Sequence, residues 1–546
     1  MSSNTRLALL HIAIFVAVLG GLTLTSWNLW QEPSPHFHFI DLAESFMAGR
    51  VDTETPMRRK GGQELPGDPE GLQEAVDRAL SSGGWNDWVS YYEVVLESGE
   101  MFKGVWPWKQ RRKGESGYDV RDRFMLLDGN WVEFNERKDI RSTCVAPPEI
   151  DPKDQVARAA WKTRDRYPAE RTACENVDPE ESSPRICPAG EQRVRCKQTR
   201  NFISFPPFPA VVMLPFVAVW HYHFNDVLFT LIIAALSALM MFVLMRRFRE
   251  LNYTTRSNRD FLVLVFLFAF GTVAYFSSIR GSVWFTALVI GTFLNILYLY
   301  FATDLKSPFL AGLFLALGFA TRTPQLFASV YFFLLVGLQK QAWDKEGFLL
   351  RVKQVALFAI PCLIVGISLM LYNHARFDSY TEFGHRFLAS GTRRSIVDHG
   401  MFAFWFLPKN LAAAFTNVPQ FLSTAPFVKI TGHGISLLAA TPVFFYLFWP
   451  KRERVNEVSM ERYRWPLHRI LWVTIAATAL PGLFYQNTGW FQFSYRFAMD
   501  YLPMLVLLLA LDERRRNWLF YTLVGVSVAV NLFGAVTFNR FGQFYY

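Results

Sequence analysis

Long apolar runs alternate with short basic clusters over most of this chain. The first run, Leu7–Trp30, is long enough to cross a bilayer and precedes no A-x-A cleavage site, so it reads as a retained transmembrane helix rather than a signal peptide. The pattern then turns polar and Pro-rich until about Phe205. Further apolar runs follow at Val227–Met245, Phe261–Ser277, Val283–Ala302, Pro308–Ala320, Leu326–Leu338, Val355–Leu371, Ile435–Trp449, Ile470–Phe484, Phe497–Leu511 and Trp518–Phe533. A second, smaller polar loop is expected over about Tyr372–Lys429. Phe205–Trp220 precedes a full span and is expected to lie along the surface as an amphipathic or re-entrant segment.

The polar stretch between the first two spans has a pattern of its own. Trp88–Trp106 mixes aromatic and β-branched residues around Ser98-Gly99, which predicts a hairpin. Tyr118–Phe134 predicts a second hairpin, with Asp128-Gly129 as its turn. Lys153–Arg166 predicts a short helix. The expected fold is therefore an all-α polytopic membrane protein of about eleven transmembrane helices, with a large extracytoplasmic α+β insert after helix one. Its divisions are 1–30, the first helix; 31–56, an outer-loop segment; 57–204, the insert; and 205–546, the multi-helix domain.

Composition agrees with that outline. Apolar residues make up 51% and charged residues 19%, and Phe occurs 52 times, as in a polytopic membrane protein carrying some soluble mass. The net charge of +10 needs no nucleic acid, for no DNA- or RNA-binding motif is present. Basic cytoplasmic loops account for it. With the N-terminus inside and eleven crossings, Arg246–Arg259, Lys340–Lys353, Lys451–Arg469 and Arg514–Arg516 all fall on the cytoplasmic side. Thr321-Arg322-Thr323-Pro324, the insert and the C-terminal NRFGQFYY fall outside.

Four of the five cysteines, Cys144, Cys174, Cys187 and Cys196, lie in the insert. Their confinement to one extramembrane region suggests two disulfides in an oxidising compartment, with three pairings open. No C-x-x-C pair supports a zinc site instead.

Candidate chemistry gathers on the outer face. Asp41 and Glu44 are three residues apart, so both fall on one helical face. Carboxylates at a membrane boundary are seldom idle. His36 and His38 precede them. Asp87 sits between two tryptophans. Arg376, His385 and Arg386 lie after the 355–371 run, and Gln486, Asn487, Arg496 and Asp500 lie near the last two spans. Asp500, inside an apolar run, is expected to face the interior. Arg322, Arg376, Arg386 and Arg496 are arginines on the face where basic residues should be few.

These stretches resemble the GT-C superfamily of membrane glycosyltransferases, in its family-39-like and RgtA/B/C/D-like groups. Asp41-Leu42-Ala43-Glu44 through Gly49 is similar to the first outer-loop acidic stretch of that superfamily, here compressed to D-x-A. Phe205-Pro206-Pro207-Phe208-Pro209, Ala320-Thr321-Arg322 and Tyr372-Asn373…Arg376-Phe377 resemble later stretches. The resemblance covers helix one and roughly Phe205–Leu511, and the insert departs from it. It implies an inverting transfer of sugar from a polyprenyl-phosphate donor to a lipid or glycan acceptor, at the extracytoplasmic face of a membrane, in all expectation a bacterial inner membrane. Asp41 would be the general base, with Glu44 orienting it or binding sugar hydroxyls. Arg322, Arg376, Arg386 and Arg496 would bind the donor phosphate. His36, His38, Asp87, His385, Gln486 and Asn487 would contact substrate. Some relatives use a divalent metal, but the sequence shows no clear ligand set. The rival reading is a transporter or flippase for a lipid-linked or anionic substrate, suggested by the helix break at Thr321–Pro324.

Overall fold

The computed structural model describes residues 3–53, 69–81, 88–96, 101–105, 123–128, 130–133, 194–384 and 399–545. Cys144, Cys174, Cys187, Asp87, His385, Arg386 and the expected helix at Lys153–Arg166 lie outside them. The described chain begins with α1 (Ser3–Ser26), α2 (His38–Met47) and α3 (Leu72–Ser81). Five strands follow: β1 (Trp88–Leu96), β2 (Met101–Val105), β3 (Arg123–Leu126), β4 (Trp131–Glu133) and β5 (Val194–Ile203). Next come α4 (Phe208–Trp220), α5 (Asp226–Glu250), α6 (Asn258–Phe270), α7 (Ala274–Ser278), α8 (Val283–Ala302), α9 (Pro308–Phe319), α10 (Ser329–Leu338) and α11 (Lys345–Phe377). The last long helices are α12 (Leu467–Phe484), α13 (Leu502–Ala510) and α14 (Trp518–Thr537).

Among the described residues, six helices are long and apolar enough to cross a membrane: Thr5–Ser26, Asp226–Glu250, Val283–Leu305, Lys345–Phe377, Leu467–Phe484 and Trp518–Thr537. The described chain is mostly helical, with the long apolar helices that a membrane protein requires. Polar side chains start several helices where the sequence leaves the apolar pattern. Asn225 accepts the Leu228 amide at the start of α5, Ser257 and Asp260 form a reciprocal cap on α6, and Asp344 accepts the Gly347 amide on α11. Each satisfies backbone donors that a helix start leaves open. α9 and α11 meet at Gly312, where a Cβ would collide with the Phe358 carbonyl oxygen. Close backbone approach at small residues is how membrane helices pack. Gly312→Ala is expected to lower stability by about 1–3 kcal/mol through overpacking, read as a lower thermal midpoint in detergent.

One end of the bundle collects the basic clusters. Arg256 donates to the Asp512 and Arg514 carbonyls, and Arg516 pairs with Asp260 at 3.0 Å. Arg462 pairs with Asp304, Arg454 donates to the Asn252 carbonyl, and the Lys340 amide donates to the Arg462 carbonyl. At the opposite end, Arg540 donates to the Thr25 and Ser26 carbonyls at the finish of α1. There also the Phe208 amide meets the Ala320 carbonyl, and Arg376 on the last turn of α11 donates to the Ile203 carbonyl.

The strands form one antiparallel sheet in the order β4-β3-β2-β1-β5. Both expected hairpins are present: Tyr92 faces Gly104 across the first and Phe124 faces Val132 across the second. Asp128 accepts the Asn130 amide beside the second turn. β5, which the polarity of VRCKQTRNFI concealed, closes the edge against β1 and runs into α4. Arg200 on β5 pairs with Asp52 at 2.9 Å and Glu93 at 3.7 Å, joining the sheet to the chain after α2. Cys196 sits opposite Val95 on β5. Among the described residues the structure contains no disulfide, and Cys362 is a free thiol.

Two sequence expectations need correction. Phe205–Trp220 is a helix from Phe208 on, apolar on all sides rather than amphipathic; it buries Ala210, Met213 and Val217 and exposes Val211, Phe216 and Val219. The loop expected to be polar from Tyr372 begins as helix, because α11 continues to Phe377. Its later part exposes Phe402, Phe404, Trp405, Phe421 and Phe427. The aromatic share of that stretch outweighs the few polar residues that suggested a loop.

Candidate functional site

α2 is short, and its apolar face holds it in place. Phe39, Ile40, Leu42 and Ala43 pack with Leu72, Ala75 and Val76 of α3 and with Ala210, Met213 and Val217 of α4. That leaves Asp41 and Glu44 one helical turn apart, both reaching the same short segment, His221–His223. Tyr222 donates its hydroxyl to Asp41 Oδ1 at 2.7 Å. His221 Nδ1 lies 2.9 Å from Glu44 Oε1. His223 faces Glu70 and Glu74 at 3.6 and 3.7 Å. Three consecutive side chains thus serve four carboxylates. The backbone makes this fan-out by a turn at His221, with φ 45° and ψ −132°. Positive φ in a non-glycine residue is strained and often marks a functional position.

The two carboxylates differ in surroundings. Asp41 is 1% exposed and sits in the first turn of α2, where the helix dipole favours negative charge. Glu44 is 8% exposed, but its partner His221 keeps 37% of its side chain in solvent. Burial raises the Glu44 pKa, and His221 works against that rise.

His36 and His38 line the approach to α2. His36 Nδ1 is 3.2 Å from Ser282 Oγ, and its ring meets Trp284 at 4.5 Å. His38 is fully buried between Phe205 and Trp284. Burial lowers His36 to about 4 and, with the neighbouring His36, lowers His38 to about 3. Both stay neutral in the fold, while the unfolded chain takes up protons near 6.5. Stability is therefore complete above about pH 6.5 and is lost as pH falls towards the folded values. The buried His38 alone should cost about 2 kcal/mol by pH 5. A His36→Gln/His38→Gln double variant should show a shallower fall of thermal midpoint between pH 7 and pH 5 than wild type.

Two of the proposed phosphate arginines are already engaged. Arg322 holds Asp500 through Nε at 2.7 Å and Nη2 at 2.8 Å. Gln325 and Asn295 complete that cluster: Gln325 donates to the Asp500 carboxylate, and Asn295 donates to Gln325 and to the Asp500 carbonyl. Asp500 faces the interior, as expected from its apolar run. Arg376 donates to Ile203 and Asn373 and lies 3.9 Å over the Tyr372 ring. Phe46 of α2 meets that same ring at 5.9 Å, so one side chain, Tyr372, links Arg376 to the acidic helix. Arg496 lies over Phe285 at 5.1 Å, and both Arg496 and Arg322 lie over the Phe497 ring, at 5.9 and 5.6 Å. The structure thus gathers Arg322, Arg496 and Asp500 around α8, and Asp41 and Glu44 around the 221–223 turn. Arg322 touches neither carboxylate. The Asn487 side chain serves local structure, accepting the Gly489 and Trp490 amides, and the Gln486 backbone amide donates to the Met401 carbonyl.

A cavity of about 650 Å³ opens between the sheet and the tail of α11, lined in part by Lys103, Asp128, Asp378 and Glu382. Neither Asp41, Glu44 nor the described arginines Arg322, Arg376 and Arg496 line it. Among the described residues no three His, Cys, Asp or Glu side chains are grouped to hold a metal.

Sequence reasoning missed Tyr222 and His221, the direct partners of the acidic pair. Their signal was a polar His-Tyr-His break at the end of an apolar run. It also missed Arg280, in the turn before α8, away from the basic clusters at the other end of the bundle. No protein-family model, curated protein or solved structure matches the chain.

Proposed function

We propose that this membrane protein is a glycosyltransferase, moving a sugar from a polyprenyl-phosphate donor to a hydroxyl acceptor on the extracytoplasmic face. The observation that carries this reading is the pair of carboxylates on α2, directly after the first span, each bonded to a side chain of one strained turn. In the proposed reaction an acceptor hydroxyl attacks the anomeric carbon with inversion. The bond from that carbon to the phosphate oxygen breaks, and the lipid phosphate leaves. The hydroxyl proton passes to Asp41, at the position that resembles the superfamily motif. The Tyr222 hydroxyl marks how such a group meets Oδ1. Glu44 and His221 form the water-facing side of the pair and carry the proton onward. Arg322, Arg376, Arg386 and Arg496 remain the donor-phosphate candidates, and Arg322 and Arg376 would have to exchange the protein partners they hold for the phosphate.

Eleven crossings with an inside N-terminus are part of the proposal. Their support is the segregation of contacts: the basic clusters bond one another at one end, and α1's finish, the sheet and Arg540 meet at the other. By the positive-inside bias the first end is cytoplasmic and the insert extracytoplasmic.

The Arg322–Asp500–Gln325–Asn295 cluster favours a second reading. It sits where Thr323–Ala328 and Arg496–Asp500 interrupt apolar runs, as ion or substrate sites do in transporters. Proteoliposomes loaded with acceptor and given a radiolabelled polyprenyl-phosphate sugar separate the two. Label joined covalently to acceptor supports the transferase. Label that crosses the bilayer still attached to its lipid supports the flippase and contradicts the transferase.

A further inference from the structure

Arg280 lies in the turn between α7 and α8 and is 8% exposed. Gly281, at φ +64° and pressed against Val227, makes the turn tight. The guanidinium rests 4.8 Å over the Phe538 ring. The charged and titratable groups that act on it are Arg540, which opposes its charge, and Tyr545. Its Nε and Nη2 are buried without an acceptor, and among the described residues no carboxylate pairs with it.

Several other buried or part-buried arginines among the described residues are compensated, and Arg452, whose Nε and Nη2 likewise lack an acceptor, feels the opposite charge of Asp512. Arg322 has Asp500, Arg516 has Asp260, and Arg200 has Asp52 and Glu93. Arg540 has the carbonyls that end α1, and Arg351 has four carbonyl acceptors. A buried cation without an acceptor is costly. Contact with Phe538 returns only part of that cost, and Arg540 adds repulsion. The site lacks one negative charge.

The surroundings say which kind. Two residues on, Ser282 caps the N-terminus of α8, and its side chain makes no capping bond. A helix start favours oxyanions. A guanidinium binds phosphate oxygens in pairs. Arg540 fixes this corner to the finish of α1, where a spanning helix reaches headgroup depth. We propose that Arg280 anchors a phosphate-binding site at this corner, the phosphate being carried on a lipid or free in solution. The proposal needs no sugar transfer, so a failed transfer assay leaves it standing.

The test uses the full chain in detergent, with a polyprenyl phosphate, the matching polyprenol and inorganic phosphate as probes, read by equilibrium binding and by thermal midpoint. Wild type should bind the polyprenyl phosphate about tenfold or more tightly than the polyprenol. Arg280→Gln should lose that preference, while its ligand-free midpoint stays equal to wild type or rises, because an uncompensated charge has gone. A purely structural arginine would instead lower the midpoint. Arg280→Lys keeps the charge and should retain part of the preference, which covers the case where Gln does not fold. Protection by inorganic phosphate that Arg280→Gln abolishes also supports the site and assigns it to free phosphate. Unchanged binding of both phosphates in the Gln or Lys variant overturns it, as does a lowered midpoint with phosphate preference intact.

Discussion

Arg322→Met is expected to destabilise the protein by about 3–5 kcal/mol, because it strands a buried carboxylate. Asp500 is 3% exposed and takes two bonds from Arg322 and one from Gln325. Gln325 is not charged, so it cannot replace what is lost. Asp500→Leu should cost a similar amount for the mirror reason, leaving the guanidinium without its acid. The double variant Arg322→Met/Asp500→Leu should recover most of the loss, since two matched apolar side chains restore what neither single change can. Thermal midpoints of the four proteins in one detergent measure the coupling. Additive losses would mean that the pair does not act as a unit. Arg322→Met would be expected to leave binding at Arg280 intact, because the two guanidiniums rest over different rings, Phe497 and Phe538.

The second large effect is on rate. Asp41→Asn and Glu44→Gln should each lower transfer by about 10²–10⁴-fold, the usual contribution of a positioned acid or base. They should differ in pH dependence. The raised pKa of Glu44 comes first from burial, so it loses its proton above the ordinary range near 4.3. Activity should therefore rise with pH through that elevated value, and Glu44→Gln should flatten this acid limb while Asp41→Asn leaves it in place at a lower rate. The same shift has a sign in stability: the folded protein holds the Glu44 proton more tightly than the unfolded chain, so its contribution weakens as pH rises through the folded value. Glu44→Gln removes that weakening and should be neutral or slightly stabilising at pH 7. A structural role for Glu44 would make the Gln variant less stable instead.

Periodicity and charge carried much of the architecture. Among the described residues six of the apolar runs coincide with helices long enough to span, whereas Ile435–Trp449 folds as a single helical turn, Leu437–Ala440, and a 3-10 stretch, Pro442–Phe448. The basic clusters that the positive-inside bias sorts to one side do bond one another at one end. Both hairpins were readable because their signals are local: in the sequence, Asp128-Gly129 and Ser98-Gly99 stand between alternating segments, and the flanking strands pair as those signals require. β5 was not, because an edge strand paired on one side tolerates the Arg, Lys and Gln that hide it. α3 was not, because its buried face is built from Ala75, Val76 and Ala79 with a single Leu72, too little apolar bulk to stand out in a polar stretch. In the site, the i,i+3 spacing of Asp41 and Glu44 was enough to put them on one face. Their partners Tyr222 and His221 lie far along the chain, and such contacts leave no mark in a single sequence. Arg322 and Arg376 were picked as arginines expected on a face poor in basic residues, and the structure gives both of them protein partners.

The account depends on α2 presenting an acid to an acceptor beside a lipid-linked sugar. Single-turnover transfer from a polyprenyl-phosphate sugar, with folded wild type and folded Asp41→Asn in the same detergent, tests that most directly. Wild type should give glycosylated acceptor, and the Asn variant should give about a hundredth as much or less per turnover time. Equal product from both proteins would contradict the assignment of the α2 carboxylate to the reaction.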